Sequence, residues 1–320
     1  MQHAKLARLD GRLLVLGFGS ISQGVLPLLL RHVEVDPSRI TILSRGRRGR
    51  DVAQAHGIAF HAETVTQDNL EALLARHLRA GDFLLNLSYG VSSLATLEWC
   101  QRHGVGYLDA CIEPWDGTHA DPSIPPEHRS NYAYREAALA LRRPSDTAPT
   151  AVINHGVNPG LVSHFVKRAL LDLARDTGLA GVAPLRREDW ARLARDLGVR
   201  AIHIAERDTQ VAMRPKRPGE FVNTWSSEAF IGEACQPVEL GWGTHERHFP
   251  TDGVRHENGS GAAIWLRRPG AATRVRSWTP LAGPYHGFLI THAESVSIAD
   301  GLTLREAGEV IYRPTVHYAY

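Results

Sequence analysis

The sequence has few cysteines, almost no net charge and no long apolar run. Its three cysteines, Cys100, Cys111 and Cys235, lie far apart and match neither a disulfide framework nor the spacing of metal ligands. With 36 basic and 34 acidic residues, the net charge of +2 gives no reason to expect a nucleic acid or an anionic membrane as partner. No stretch approaches the roughly 18 apolar residues of a membrane span, and no signal-like run precedes Leu13. We therefore expect a cytoplasmic protein with no metal, no nucleic acid and no membrane as partner.

Motifs of several enzyme classes are also absent. The sequence contains no Gly-x-Ser-x-Gly elbow, no His-Glu-x-x-His zinc helix and no Walker phosphate loop. His245 and His248 lie three residues apart, but their surroundings are rich in glycine and proline and favour a solvated loop over a metal site. The sequence therefore contains none of these motifs of a hydrolase or a nucleoside triphosphatase.

A short apolar run that ends in Gly-x-Gly stands near the start of the chain. Leu13–Leu16 is apolar, Gly17 and Gly19 follow, and the apolar run Val25–Leu30 comes next, which predicts strand, tight turn and helix. Such a turn can hold a pyrophosphate, because glycine lets backbone N–H groups approach and the helix N-terminus adds positive charge. Ser22 stands at the third glycine position, and an ordinary strand-to-helix turn is the alternative. The cofactor-binding residues predicted here are Gly17, Gly19, Ser20 and Ile21.

The second predicted strand ends without the acid that is typical of NAD sites. Ile40–Leu43 is followed by Ser44 and Arg45, whereas an acidic residue at this point usually binds the ribose 2′-hydroxyl. An arginine there can accommodate a 2′-phosphate. This pattern indicates a preference for NADP, a relaxed specificity that accepts both NAD and NADP, or simply a solvated basic loop. We take NAD as the cofactor, with NADP as the alternative.

Strands and helices alternate through the first half of the chain. Phe83–Ser88 reads as a strand that ends in polar residues, and Gly106–Cys111 as another that leads to Glu113. Alternation of this kind predicts an α/β fold with a doubly wound parallel sheet, a nucleotide-binding (Rossmann) domain over residues 1–155. Ligands bind beyond the carboxyl ends of such strands, so Ser44, Ser88 and Glu113 should converge on one crevice. The predicted cofactor contacts at these strand ends are Ser44, Arg45, Asn86 and Ser88. Shorter strands with aromatic and polar residues predict a mixed α+β second domain, residues 156–320, for the substrate.

The second half concentrates carboxylates near tryptophan. Carboxylates pair with ammonium groups and an indole face attracts cations, so an amine substrate fits this composition. Each residue also has a second interpretation: Glu206 could pair with Arg207, Trp225 could lie in the core, and His292 could be a buried, satisfied histidine. The polar segments are Asn158-Pro159-Gly160, Glu206-Arg207-Asp208-Thr209, residues 225–233, Glu239-Leu240-Gly241-Trp242-Gly243-Thr244 and Thr291-His292-Ala293-Glu294-Ser295.

Many blocks of the sequence, in order, resemble the bacterial homospermidine synthases, within the wider saccharopine-dehydrogenase-like group. The resemblance extends over essentially all 320 residues, which makes it far more specific than one glycine loop. Blocks that carry it include Gly17-Phe18-Gly19-Ser20-Ile21, Asn86-Leu87-Ser88, Glu113-Pro114-Trp115, Asn158-Pro159-Gly160, Ile202-His203-Ile204-Ala205-Glu206-Arg207-Asp208-Thr209-Gln210, Asn223-Thr224-Trp225-Ser226 and Tyr312-Arg313-Pro314-Thr315.

The resemblance implies a reaction without net redox change and a homodimeric enzyme. Putrescine is oxidised to an imine with NAD as hydride acceptor, ammonia leaves, a second diamine condenses, and the stored hydride reduces the new Schiff base to homospermidine. It further implies that Glu206 and Glu233 bind ammonium groups and that Trp225 guides the cation. The residues implied at the reacting centre are Glu113, Asn158 and His292.

Several departures from the family pattern accompany the resemblance. Gly90 stands where family members usually have an aspartate, Ser44 and Arg45 replace the strand-end acid, and Ala293 replaces a usual asparagine. Family chains also continue far beyond the equivalent of Tyr320, so the expectation is a chain that is truncated at the C-terminus of its second domain, divergent from the family, or both. Loss of the carboxylate at position 90 predicts weakened or redirected amine selection.

Two other functions stay open at this point. One is a secondary-amine dehydrogenase of the saccharopine or carboxyspermidine type, which would turn over NAD(P)H. The other is a non-catalytic remnant that binds cofactor or diamine without turnover. Net absorbance change at the nicotinamide band separates the first from the synthase, and a folded but inert protein would support the second.

Overall fold

The computed structural model describes residues 4–142, 147–179, 181 and 183–320. Contacts divide the chain into two compact units. The first unit comprises Met1–Thr118, Ala137–Gly156 and Asn223–Ser227, and the second comprises His119–Glu136, Val157–Val222 and Glu228–Tyr320.

Short strands and helices alternate up to residue 152. The strands are β1 (Ala7–Arg8), β2 (Leu13–Leu16), β3 (Val33–Glu34), β4 (Ile40–Ser44), β5 (Ala59–Ala62), β6 (Phe83–Asn86), β7 (Gly106–Asp109) and β8 (Ala151–Val152). The helices are α1 (Ser20–His32), α2 (Arg50–Ala55), α3 (Leu70–His77), α4 (Ser93–His103) and α5 (Asn131–Ala140). Single 3₁₀ turns lie at Pro37–Arg39, Thr118–Ala120 and Pro126–His128.

Six strands of the first unit form one parallel sheet in the order β5-β4-β2-β6-β7-β8. Numbered along the chain, this is the order 3-2-1-4-5-6 of dinucleotide-binding domains. All four residues of β2 are buried, because a central parallel strand is covered on both faces. The predicted doubly wound parallel fold is thereby confirmed. The strand order reverses between β2 and β6, the position at which such sheets bind ligands.

The second unit is a mixed α+β assembly. Its strands are β9 (Ala201–Ala205), β10 (Pro237–Gly241), β11 (Gly253–Arg255), β12 (Ala263–Pro269), β13 (Arg274–Thr279), β14 (Gly283–Ile290), β15 (Leu304–Glu306), β16 (Glu309–Tyr312) and β17 (Thr315–Ala319). Its helices are α6 (Leu161–Asp176), α7 (Arg187–Asp196), α8 (Ser227–Cys235) and α9 (Ala293–Gly301), with a 3₁₀ turn at Gly270–Ala272. The main sheet runs β11-β12-β10-β17-β14-β13 with antiparallel neighbours, and β9 pairs with β17 in parallel.

Helix α9 packs on the centre of this second sheet. A Cβ placed at Gly241 of β10 would lie 2.4 Å from the Cβ of Ala299, so glycine is what allows the helix to approach the strand closely. Ala299, Val316 and Tyr318 are fully buried in the same core cluster. This packing fixes the start of α9, which carries the candidate site of the second unit.

No helix in the part of the chain that the structure describes is long and apolar enough to cross a membrane.

Candidate functional site

The loop after β2 can be built only with glycine at position 17. Gly17 has a φ of +82°, and a Cβ there would lie 2.7 Å from the carbonyl oxygen of Leu87 and 2.7 Å from the Cα of Ser88. The backbone N–H of Gly17 donates to the carbonyl of Leu43 over 2.8 Å. The loops after β2, β4 and β6 therefore meet at one edge of the sheet.

Gly19 differs from Gly17, because the space beside it is open. A Cβ added at Gly19 would have no described protein atom within 4 Å, and α1 starts at the next residue. Ser20 is exposed and Ile21 is 49% exposed at the start of this helix. Open space at a helix N-terminus, bordered by glycine, fits the pyrophosphate of a dinucleotide.

Ser44 and Arg45 lie at the carboxyl end of β4. The carbonyl of Ser44 accepts a hydrogen bond of 2.9 Å from the N–H of Glu63, and Arg45 follows as an exposed residue. Because Gly17 is bonded to the preceding residue, Leu43, this end of β4 borders the glycine loop. The position of Arg45 therefore suits contact with the ribose side of a bound dinucleotide.

A buried hydrogen-bond network lies beneath the ends of β6 and β7. The Ser88 hydroxyl donates to Asn86 Oδ1 over 2.5 Å, and the Asn86 amide donates to the Tyr107 hydroxyl over 3.3 Å. Tyr107 in turn donates to Asp109 Oδ2 over 2.8 Å. Burial raises the pKa of Asp109 to about 6, against the lowering effect of the Asn154 N–H and the Tyr107 hydroxyl. The network holds Asn86 and Ser88 in fixed orientations at the carboxyl end of β6.

Glu113 and Gly90 lie on the loops that follow β7 and β6. The N–H of Glu113 donates to the Ser93 hydroxyl over 3.0 Å, which ties it to the first turn of α4. Gly90 has a φ of +76°, and a Cβ there would lie 2.9 Å from the Cβ of Asp116 and 3.2 Å from its carboxyl carbon. The family carboxylate is absent at position 90, but the carboxyl group of Asp116 lies beside it. This neighbour was not identified from the sequence.

Four predicted site residues from separate segments come together in the second unit. Asn158 donates through Nδ2 to Glu206 Oε2, and His292 Nε2 lies 3.7 Å from Glu233 Oε1. Tyr318 joins the two pairs, because its hydroxyl donates to Glu206 Oε2 over 2.6 Å and its ring stacks on His292 with centroids 4.3 Å apart. We call Asn158, Glu206, Glu233, His292, Glu294 and Tyr318 the acidic cluster.

Five elements supply the acidic cluster. His292 is the N-cap residue of α9 and Glu294 lies in its first turn, with Nδ1 of His292 bonded to Oε2 of Glu294. The other Glu294 oxygen, Oε1, accepts the N–H of Gly160 over 3.2 Å, which holds the Asn158 loop against α9. Tyr318 pairs with Ile204 across β17 and β9, and Glu206 follows β9 directly. Glu233 is contributed by α8.

The charges of the acidic cluster shift its proton equilibria. Burial lowers the pKa of His292, but the hydrogen bond and charge of Glu294, with the charges of Glu233 and Glu206, outweigh it and leave that pKa raised. Burial raises the pKa of Glu233 to about 7, opposed by His292 and reinforced by Glu206 and Glu294. The cluster therefore places an imidazole of raised pKa among three carboxyl groups, one of which has its pKa raised to about 7.

The contacts of Glu206, His292 and Trp225 bear on the alternative interpretations of these residues: an ion pair with Arg207, a buried histidine and a core tryptophan. Among the described residues, Glu206 is bonded to Asn158 and Tyr318, and no ion pair with Arg207 is present. His292 is buried, with 6% exposure, and its partners are carboxylates. Trp225 is half-buried and belongs to the first unit. Glu113 and Trp225 thus belong to the first unit, and the other predicted catalytic and substrate-binding residues to the second.

Two members of the acidic cluster, Glu294 and Tyr318, were not predicted from the sequence. Glu294 lies two residues after His292 in a segment that the sequence marks as polar, which was the available signal. Tyr318 carried none, because its link to Glu206 spans 112 residues. In the described part of the chain, no group of three or more His, Cys, Asp or Glu side chains has an arrangement that could hold a metal ion.

Comparison with known proteins gives matches over both halves of the chain. Residues 13–153 match the saccharopine dehydrogenase NADP binding domain, and residues 156–320 match the saccharopine dehydrogenase C-terminal domain. The predicted boundary between two domains at residue 155 stays a prediction.

Curated relatives and a solved structure are more similar still. The chain is 52% identical over 317 residues to a homospermidine synthase of Blastochloris viridis and 47% identical over 318 residues to one of Mesorhizobium japonicum. Each alignment covers 98% of this chain but 66% of the relative, so the chain spans just under two thirds of their length. The crystal structure of a homospermidine synthase from Legionella pneumophila in complex with NAD superposes with a TM-score of 0.87 at 46% identity, over 99% of this chain and 66% of that one.

These similarities confirm the resemblance to homospermidine synthases and the predicted fold class. Since the C-terminal domain model alone matches more than half of the residues, the chain belongs to the saccharopine dehydrogenase family.

Proposed function

We propose that this protein is a homospermidine synthase that joins two putrescine units with NAD as a recycled hydride carrier. The observation that carries the proposal is the acidic cluster, in which Asn158, Glu206, Glu233 and His292 lie together although they come from distant segments. Such a group matches a diamine, because carboxylates bind ammonium and exclude anionic substrates. Identities of 46–52% to homospermidine synthases support the same reaction.

The cofactor is assigned to the glycine loop and its neighbours. Gly17 and Gly19 leave the approach to α1 open, and Ser44, Arg45, Asn86 and Ser88 border it. When bound there, NAD supplies the hydride acceptor for the first amine and the hydride donor for the new Schiff base. NADP is the alternative cofactor because arginine, rather than an acid, follows β4.

The remaining roles belong to side chains of this chain. Glu206 and Glu233 hold ammonium groups by charge and hydrogen bonds, and Trp225 attracts the cation through its ring face. His292 and Glu233, 3.7 Å apart, are placed to exchange a proton with the nitrogen that leaves or condenses. Asn158 and Glu113 complete the reacting centre in this proposal.

The test is incubation of the 320-residue protein with putrescine and a catalytic amount of NAD or NADP, with polyamine products followed by mass spectrometry. Homospermidine, released ammonia and no net reduced cofactor are expected. Net formation of NADH or NADPH would indicate a secondary-amine dehydrogenase instead. A folded protein that forms no product would indicate a non-catalytic binding protein.

The homodimer that the resemblance implies and the cytoplasmic location expected from the composition are part of this proposal. Light scattering of the purified protein measures the first. Fractionation of the source cell measures the second.

A further inference from the structure

Tyr318 contacts several members of the acidic cluster, and it is not among the site residues predicted from the sequence. Its side chain is fully buried, and burial together with the charge of Glu206 raises its pKa far above the ordinary tyrosine value. The hydroxyl therefore stays protonated and donates to Oε2 of Glu206 over 2.6 Å. The same hydroxyl is contacted by the Asn158 amide, and the ring covers His292 at 4.3 Å with 15° between the planes.

The hydrogen bonds leave one oxygen of Glu206 for a ligand. Both bonds that Glu206 receives from described residues, from Tyr318 and from Asn158, reach Oε2. A carboxylate held at one oxygen by a phenol donor keeps the other in a fixed direction. Oε1 is therefore the oxygen that can accept an ammonium hydrogen.

The ring makes a second, separate contribution. It is stacked on an imidazole whose two nitrogens face Glu294 and Glu233, so it limits rotation of His292 and keeps water from one ring face. Tyr318 thus touches the amine-binding carboxylate through its hydroxyl and the proton-exchanging histidine through its ring.

We propose that Tyr318 is a positioning residue for the diamine, which aims Glu206 at the ammonium group and holds His292 between its carboxylate partners Glu233 and Glu294. This role rests on the proposed function, because it presupposes that Glu206 binds an ammonium group. Tyr318 itself transfers no proton, since its hydroxyl stays protonated.

The test replaces Tyr318 by phenylalanine, which keeps the ring and removes the donor. We expect the dissociation constant and the KM for putrescine to rise about tenfold or more, the size expected for a lost hydrogen bond to a charged group, with a smaller change in kcat. Titration calorimetry with putrescine in the presence of NAD measures the affinity, and the affinity for NAD should not change.

Tyr312→Phe is the matched control. Tyr312 is a partly buried tyrosine of the second unit whose hydroxyl donates to the carbonyl of Val199 over 2.8 Å, and it lies outside the acidic cluster. This variant should bind putrescine like the wild type. Equal putrescine affinities for the wild type, Tyr318→Phe and Tyr312→Phe would overturn the positioning role.

A double-mutant cycle with Glu206→Gln shows whether Tyr318 acts through Glu206. If it does, Tyr318→Phe should weaken binding no further in the Glu206→Gln background. The double variant also removes the carboxylate that loses its donor, so the comparison remains valid where the single variant does not fold. Additive losses would contradict the proposal, and a folded wild type that binds no putrescine would overturn the proposed function and this role with it.

Discussion

Glu233 is the residue whose protonation should govern diamine binding near neutral pH. Burial is the main reason that its pKa is raised to about 7, with the charges of Glu206 and Glu294 adding to the effect and His292 opposing it. An ammonium group binds the ionised carboxylate, so putrescine affinity should rise as the pH passes through about 7. Calorimetric titrations across that range measure this dependence.

Two variants test whether Glu233 is the titrating group and whether its neighbours set its pKa. Glu233→Gln should abolish the rise in affinity, and Glu206→Gln should move its midpoint to lower pH because one raising charge is gone. The same raised pKa acts on folding in the opposite sense. Neutral Glu233 stabilises the folded state below its unfolded pKa, and this contribution is lost as the pH rises through about 7. A putrescine affinity that is independent of pH would contradict this assignment.

Arg45 is predicted to set the preference between NADP and NAD. The residue is exposed directly after β4, where a dinucleotide ribose would lie, and its cation would pair with a 2′-phosphate. Arg45→Asp should shift the ratio of the two dissociation constants toward NAD, as fluorescence titrations would reveal. Arg31→Asp, near the far end of α1, is the control that changes the same charge away from the loop. If both variants keep the wild-type ratio, the basic loop is simply solvated.

At the scale of elements, the turn from β2 to α1 contains two glycines with different tasks. Gly17→Ala places a methyl group 2.7 Å from backbone atoms at a φ of +82°, so the fold should be strongly destabilised. Gly19→Ala meets no described protein atom within 4 Å, so the thermal midpoint should stay near that of the wild type while NAD binding is lost. Thermal unfolding and NAD titration of both variants distinguish the two tasks. NAD binding by Gly19→Ala at wild-type affinity would show that the cofactor does not approach this glycine.

The start of α5 is fixed to β10 by one buried carboxylate. Glu239 is 1% exposed and accepts the N–H groups of Asn131 over 2.8 Å and Tyr132 over 3.0 Å, together with the Thr291 hydroxyl over 2.9 Å. In Glu239→Gln an amide NH₂ would face one of these donors, and we expect a loss of about 2–4 kcal/mol in the free energy of unfolding.

Denaturant unfolding of Glu239→Gln measures this loss, with the exposed Glu309→Gln on β16 as control. The control should change stability by less than about 0.5 kcal/mol, as is usual for surface substitutions. Equal stability of the two variants would mean that other contacts hold α5 on the sheet.

The sequence predicted elements better than it predicted the contacts between distant elements. The apolar run Leu13–Leu16 ends at Gly17-Phe18-Gly19 and the strand Phe83–Asn86 ends in polar residues, and these patterns were sufficient to predict the parallel sheet. Tyr318 has no such pattern, because its importance arises only when β17 pairs with β9. Gly90 shows the same limit, since the sequence records a missing carboxylate whereas the fold places Asp116 beside it.

At the scale of the whole molecule, the cofactor and the diamine should each stabilise the folded protein. Each should do so through its own contacts, whether or not the contacts of the other ligand are intact. A ligand that binds the folded state alone stabilises it by about 2.7 kcal/mol at a hundred times its dissociation constant. Glu206→Gln should therefore reduce the rise in thermal midpoint caused by putrescine and leave that caused by NAD. Gly19→Ala should reduce the rise caused by NAD.

Thermal scans of the wild type and both variants, each with no ligand, NAD or putrescine, measure these shifts. Glu309→Gln provides the control for the charge lost in Glu206→Gln, and both of its ligand shifts should match the wild type. A loss of both shifts in Glu206→Gln would contradict the assignment of this residue to the diamine alone. Since the proposed cofactor contact Gly19 lies in the first unit and Glu206 in the second, selective losses would support separate roles for these two residues.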